Sequence, residues 1–253
     1  MTKKKMLVLL GIALFVSIGV FIIYKETYKE EYNYVVLGDS LSAGRNPYGV
    51  DDYGYTDYVK DYLKKEDKLA NYLSYAVSGY TTEDVKNDIN LNRMIIDNNK
   101  SIGIKKALRE SDIVTISIGA NDFLKHFNLS NLSYILNDEV TLQNNIDDIL
   151  LKISDLITLI KQYAKGKIIV VGYYNPLPHL EKYKDSIDEL INYVDKEYEK
   201  LCKNNDIYYI KVSDDISKNV DCLPNPLDIH PNKEGYKIIS DHIISLINKE
   251  FFQ

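Results

Sequence analysis

Five short apolar runs, separated by longer stretches of helical period, restrict what this chain can become more than any other feature. The runs cover 34–38, 72–77, 113–119, 167–173 and 207–212. Each is nearly continuous rather than alternating, the pattern of a strand buried on both faces, as in a parallel sheet. Helical patterns fill the intervals at 82–98, 141–164 and 184–204, and a last one at 233–248 sets Tyr236, Ile239, Ile243 and Ile247 on one side. This alternation implies right-handed βαβ units and an α/β fold, with a five-stranded parallel sheet between two helical layers. The stretches 123–137 and 213–228 have no period and read as loops above one sheet. Repeats and low-complexity tracts are absent from the sequence, and so is any convincing second-domain boundary.

The first 25 residues stand apart from that domain. Lys3, Lys4 and Lys5 precede 6–24, nineteen residues without a charge. As a helix that segment spans roughly 28 Å, against a hydrocarbon core of about 30 Å. It closes on Val20-Phe21-Ile22-Ile23-Tyr24 with no small-x-small site, which favours an uncleaved membrane anchor over a signal peptide removed after export. Positive charge ahead of the span places the chain beyond it outside the cytoplasm. Residues 26–32 form a short charged linker, and 33–253 the exported domain. With a net charge of -6 and interspersed signs, the chain has no basic stripe for nucleic acid.

Three of the strands run into polar, glycine-bearing turns: Gly38-Asp39-Ser40, Ser78-Gly79 and Gly119-Ala120-Asn121-Asp122. In a parallel sheet such turns converge at the carboxyl edge, where open α/β sheets bind ligands. Singly, each also serves as a tight turn or helix cap. Together with His230, in Asp228-Ile229-His230-Pro231, they supply what acyl transfer needs. In that arrangement Ser40 would be the nucleophile and His230 the base, and the Ser40 and Gly79 N–H groups with the Asn121 amide could serve as oxyanion donors. Tyr173-Tyr174-Asn175-Pro176-Leu177-Pro178 comes after the fourth strand and would border the same crevice, shaping an acyl or alcohol pocket.

In this order and on these elements, Gly38-Asp39-Ser40-Leu41-Ser42, Gly79, Gly119-x-Asn121-Asp122 and His230-Pro231 resemble the four blocks of the SGNH (GDSL) hydrolase superfamily. The likeness extends over about 33–250 and is greatest to bacterial lipase/esterase-like members that are membrane-anchored or secreted. It implies a flavodoxin-like three-layer fold, with Ser40 as nucleophile, Gly79 and Asn121 in the oxyanion hole and His230 as general base, and it calls for no cofactor. One position departs from the pattern. The family carries its acid three residues before the His, where this chain has Leu227; the nearest carboxylate is Asp228, two before. Either Asp228 orients the imidazole or a backbone carbonyl does, leaving a Ser–His dyad.

Other chemistries lack their signatures. Ser42 stands where a Gly-x-Ser-x-Gly elbow needs its second glycine, and neither a phosphate-binding loop nor a Rossmann glycine triplet occurs. His126, His179 and His242 lie without metal-ligand spacing, so no metal is expected. Cys202 and Cys222 are candidates for a disulfide in an exported domain, with a pair of buried thiols as the alternative. The expected activity is hydrolysis of an ester with a small or medium acyl chain outside the membrane. The alternatives are O-acetyl removal from an envelope polysaccharide and a non-catalytic envelope-binding module.

Overall fold

The computed structural model of the protein describes residues 30–125, 136 and 138–252. The expected anchor at 6–24 lies outside the described residues, as does most of the linker. Among the described residues no helix is long and apolar enough to cross a membrane.

Five parallel strands make the main sheet: β1 (Tyr32–Gly38), β2 (Leu69–Ser74), β5 (Ile113–Ser117), β6 (Lys167–Val171) and β7 (Tyr208–Ile210). Their order is β2-β1-β5-β6-β7, with every neighbouring pair parallel. The chain therefore winds outward from β1 in one direction, returns, and winds out in the other from β5. That reversal, between β1 and β5, is the topological switch point where open α/β sheets hold their ligands.

Successive residues on the strands feed opposite layers, as the two-residue period requires. Val35, Leu37, Val114, Ile116, Ile168 and Val170 point into one core, shared with α2 (Thr82–Leu91), α3 (Ile104–Glu110), α5 (Glu139–Tyr163) and α6 (Lys184–Asn204). Tyr34, Val36, Ile113, Ile169 and Val171 point into the other, shared with α1 (Tyr55–Lys65), α7 (Ser213–Lys218) and α8 (Lys233–Phe251). Both faces are apolar because both are covered, and each fully buried Val, Leu or Ile contributes about 1.5–3 kcal/mol.

The helical pattern read over 82–98 divides. Its helix stops at Leu91, where Asn92 turns left-handed with φ 54°. A two-stranded antiparallel hairpin comes next, β3 (Met94–Asp97) and β4 (Lys100–Gly103). Asn98 and Asn99 both take positive φ, 47° and 62°, the requirement of the tight turn that matches strand twist. The aperiodic stretch 213–228 holds α7 and a 3-10 turn at Val220–Cys222. Of the loop read at 123–137, residues 126–135 and 137 lie outside the described residues.

The two cysteines are free and buried, so the disulfide considered from sequence is not formed. Cys202 packs on α6 in the first core, among residues such as Tyr198 and Ile207. Cys222 sits in the 3-10 turn on the other side, against Gly235 at the start of α8. Burial raises both thiols above their ordinary range, Cys202 to about 12, which makes them poor thiolates. Denatured, unreduced protein should titrate both thiols; a protein with no free thiol would contradict this arrangement.

Candidate active site

Ser40 owes its position to the close approach of β1 and β5. At Gly38 the backbone takes φ +117°, and a Cβ there would stand 2.1 Å from the carbonyl oxygen of Ser117. Only glycine lets β1 turn out of the sheet at that point. The Asp39 N–H then donates to the Ser117 carbonyl at 2.9 Å. Ser42 locks the turn from beneath: its Oγ accepts from the Ser117 N–H at 3.0 Å and pairs with the Tyr55 hydroxyl at 2.7 Å. No helix begins at once. The chain makes a series of turns, with the Ala43 N–H on the Asp39 carbonyl and the Arg45 N–H on that of Ser40, before α1 starts at Tyr55.

His230 comes from the far end of the chain. Its Nε2 lies 2.7 Å from Ser40 Oγ, and its Nδ1 lies 2.6 Å from Asp228 Oδ1. Ser40 and His230 are both buried, while their hydroxyl and ring border a cavity. Asp228 reaches the ring from two residues away because the same oxygen also accepts the His230 backbone N–H at 2.8 Å. This is the i to i+2 bond of an Asx turn, and it folds the carboxylate back over its own loop. Asn225 holds that loop: its carbonyl accepts the Asp228 N–H, its Oδ1 the Leu227 N–H, and its Nδ2 donates to the Pro47 carbonyl at 2.7 Å. Leu227, in the family's usual acid position, points outward and is 89% exposed.

Gly79 is delivered by β2. Past the end of that strand, Tyr75 and Val77 still donate to the carbonyls of Val36 and Gly38, which carries the chain across the end of β1. The backbone N–H groups of Ser40 and Gly79 have no acceptor among the described residues. Asn121 lies in the first turn of the five-residue helix α4 (Ala120–Leu124) after β5. Its Nδ2 donates to the Tyr80 carbonyl at 2.9 Å, which uses one of its two hydrogens and leaves the other. Next to it, the Asp122 carboxylate accepts from Thr82 N at 2.9 Å and Thr82 Oγ1 at 2.7 Å, tying α4 to the start of α2.

Tyrosine hydroxyls fasten the surrounding loops. Tyr174 donates to the Ile229 carbonyl (2.8 Å), Tyr173 to that of Ile118 (2.7 Å), and Tyr236 to that of Arg45 (2.6 Å). Gly119 admits the Tyr173 hydroxyl, which a Cβ there would meet at 2.3 Å. Of the other histidines, His179 bonds the Leu223 carbonyl and His242 pairs with Asp215; His126 lies outside the described residues. The 173–178 stretch does border the crevice, through Tyr173, Tyr174, Pro176 and Leu177. Sequence reasoning leaves Asn225, Ser42 and Asp122 without a role; the Asn-Pro turn at 225–226 is the one local signal for the first.

A cavity of about 340 Å³ opens at Ser40 and His230 and runs between α5 and α6. Its walls are mostly Leu, Ile, Val and aromatic side chains.

A family model described as GDSL-like Lipase/Acylhydrolase matches residues 36–238. The uncharacterized protein YpmR of Bacillus subtilis (strain 168) is 25% identical over 230 residues, 88% of this chain and 84% of that one. Among solved structures, the lipase Lip_vut3 from a goat rumen metagenome superposes with a TM-score of 0.64 at 18% identity, over 84% of this chain and 95% of that one. A catalytic mutant of Axe2, an acetylxylan esterase of Geobacillus stearothermophilus, gives 0.62 at 16% identity, over 87% and 95%. Both likenesses concern the fold.

Asp39, beside Ser40, is almost fully buried, and burial pushes its carboxyl up to about 7 from 3.8. The folded protein thus keeps this proton at a pH where the unfolded chain has lost it. The resulting stabilisation is complete below pH ~4 and disappears as pH rises through ~7. Asp39→Asn mimics the protonated acid and should remove the dependence. Between about pH 5 and 8, urea unfolding should show wild type losing on the order of 3 kcal/mol relative to the variant. Parallel curves would refute the assignment.

Proposed function

Because the chain belongs to the GDSL-like lipase/acylhydrolase family, we propose that it hydrolyses a carboxylic ester through an acyl-enzyme on Ser40. The observation that carries this reading is the unbroken chain of hydrogen bonds from Ser40 through His230 to Asp228, at 2.7 and 2.6 Å. Asp228 accepts the Nδ1 proton, which leaves the Nε2 lone pair facing Ser40 Oγ. As Oγ bonds to the ester carbon, Nε2 takes its proton. The carbonyl oxygen becomes an oxyanion, within a site that offers the Ser40 and Gly79 N–H groups and the free hydrogen of Asn121. Collapse breaks the ester C–O bond, and His230 returns the proton to the departing alcohol. Water, deprotonated by the same nitrogen, then releases the acid and restores Ser40.

The named substrate of Axe2 lends support to a related reading, removal of O-acetyl groups from an envelope polysaccharide, by the same steps. The place of action is inferred from sequence. Three lysines ahead of an uncharged nineteen-residue segment support a single membrane anchor with the catalytic domain outside. Protease added to intact cells should digest the domain; protection until the cells are lysed would overturn that topology.

With p-nitrophenyl butyrate as substrate, Ser40→Ala should abolish turnover. Asn121→Ala should lower kcat by about 10²–10³, the usual loss for one oxyanion donor. Asp228→Asn should lower kcat by roughly 10⁴ if the carboxylate fixes the imidazole tautomer, whereas near wild-type turnover would leave a Ser–His dyad.

A further inference from the structure

We infer that the cavity behind Ser40 is a binding site for an aliphatic acyl chain of roughly ten carbons, an inference that rests on the ester-hydrolase reading above. Two helices face each other there without filling the space between them. On α5, Ile146, Ile149, Leu150 and Ile153 line the cavity, spaced i, i+3, i+4 and i+7. On α6, Ile187, Leu190, Ile191 and Val194 line it with the same spacing. Stripes of this kind normally close on one another and exclude solvent. Here they wall the inner part of a cavity of about 340 Å³ that opens at Ser40 and His230, more than twice the size of an apolar cavity that admits benzene. At ~30 Å³ for each water-sized group, the space, mouth included, takes on the order of ten, the size of a medium-length acyl chain with its carboxyl.

The placement of the opening sets direction and chemistry. The cavity's mouth carries Ser40 and His230, with Leu124 and Leu227 as exposed apolar residues on the rim. A sugar ring needs polar partners for its hydroxyls, and these two facing stripes provide none. An acetyl group needs room for one methyl and would leave the cavity empty. The acyl part stays bonded to Ser40 through the intermediate, while the alcohol must depart; an interior slot suits the part that stays. Each methylene buried is worth roughly a fourfold gain in kcat/KM when its binding is retained in the transition state.

The test uses the full chain and p-nitrophenyl esters from acetate to dodecanoate, kept below micelle-forming concentrations, alongside ethyl and octyl acetate. The expected result is a two- to fourfold rise in kcat/KM per acyl methylene up to about ten carbons, then a fall, with little change between the two acetates. Ile191→Trp should reduce the decanoate-to-acetate ratio at least tenfold, and Val194→Phe should reduce it in the same direction should the first variant fold poorly. Preference for acetate, a rise that tracks only the alcohol chain, or ratios untouched by both variants would overturn the inference and leave the esterase reading intact. If no ester is hydrolysed, that reading fails, and calorimetry of decanoate with Ser40→Ala decides the cavity. Saturable binding weakened by the added Ile191→Trp supports the acyl site; absence of binding overturns it.

Discussion

Everything at the site hangs on the parallel pairing of β1 with β5, carried to the register Gly38 opposite Ser117. The two strands approach so closely there that no side chain fits at 38, and the chain must leave the sheet at that residue. Ser40 comes two residues later, and Asn121 lies four residues past the end of β5 at Ser117. Because β1 and β5 flank the topological switch, their exits diverge to opposite helical layers and leave a crevice between them. Ser42 reads the same pairing from the side chain, since the Ser117 N–H that it accepts is at the end of β5. A change in register would therefore displace Ser40, Ser42 and Asn121 relative to one another.

Much of this is legible in the residues. Strands buried on both faces announce themselves as unbroken apolar runs, and α6 starts and stops where its periodicity does, at Lys184 and Asn204. The features that escape have physical reasons. The hairpin at β3 and β4 continues an apolar pattern begun by α2, and its turn uses a pair of asparagines rather than glycine. The first helix, α1, buries Tyr55, Thr56, Val59 and Leu63, so its inner face is half made of residues that count as polar in a simple pattern. The carboxylate at 228 looks out of register because spacing along the chain carries no loop geometry. Its reach depends on an Asx turn, a matter of backbone curvature invisible in a string of residue types.

The cavity between α5 and α6 is equally hidden in the sequence. Its two stripes read as ordinary core-facing faces, and only the distance between helices separates a packed interface from a slot. The groups at the strand ends are set by the sheet, whereas the cavity beside them is walled largely by the covering helices.

The tyrosines around the site have a further consequence. Twenty-two tyrosines and no tryptophan is an unusual aromatic balance, and three of those hydroxyls fasten the loops at Arg45, Ile118 and Ile229. In each case the acceptor is a main-chain carbonyl, which every amino acid carries. The anchorage itself is therefore indifferent to which side chains stand at 45, 118 and 229, whatever else holds those residues in place. The burden of constancy falls on Tyr173, Tyr174 and Tyr236, which lie outside the loops they hold.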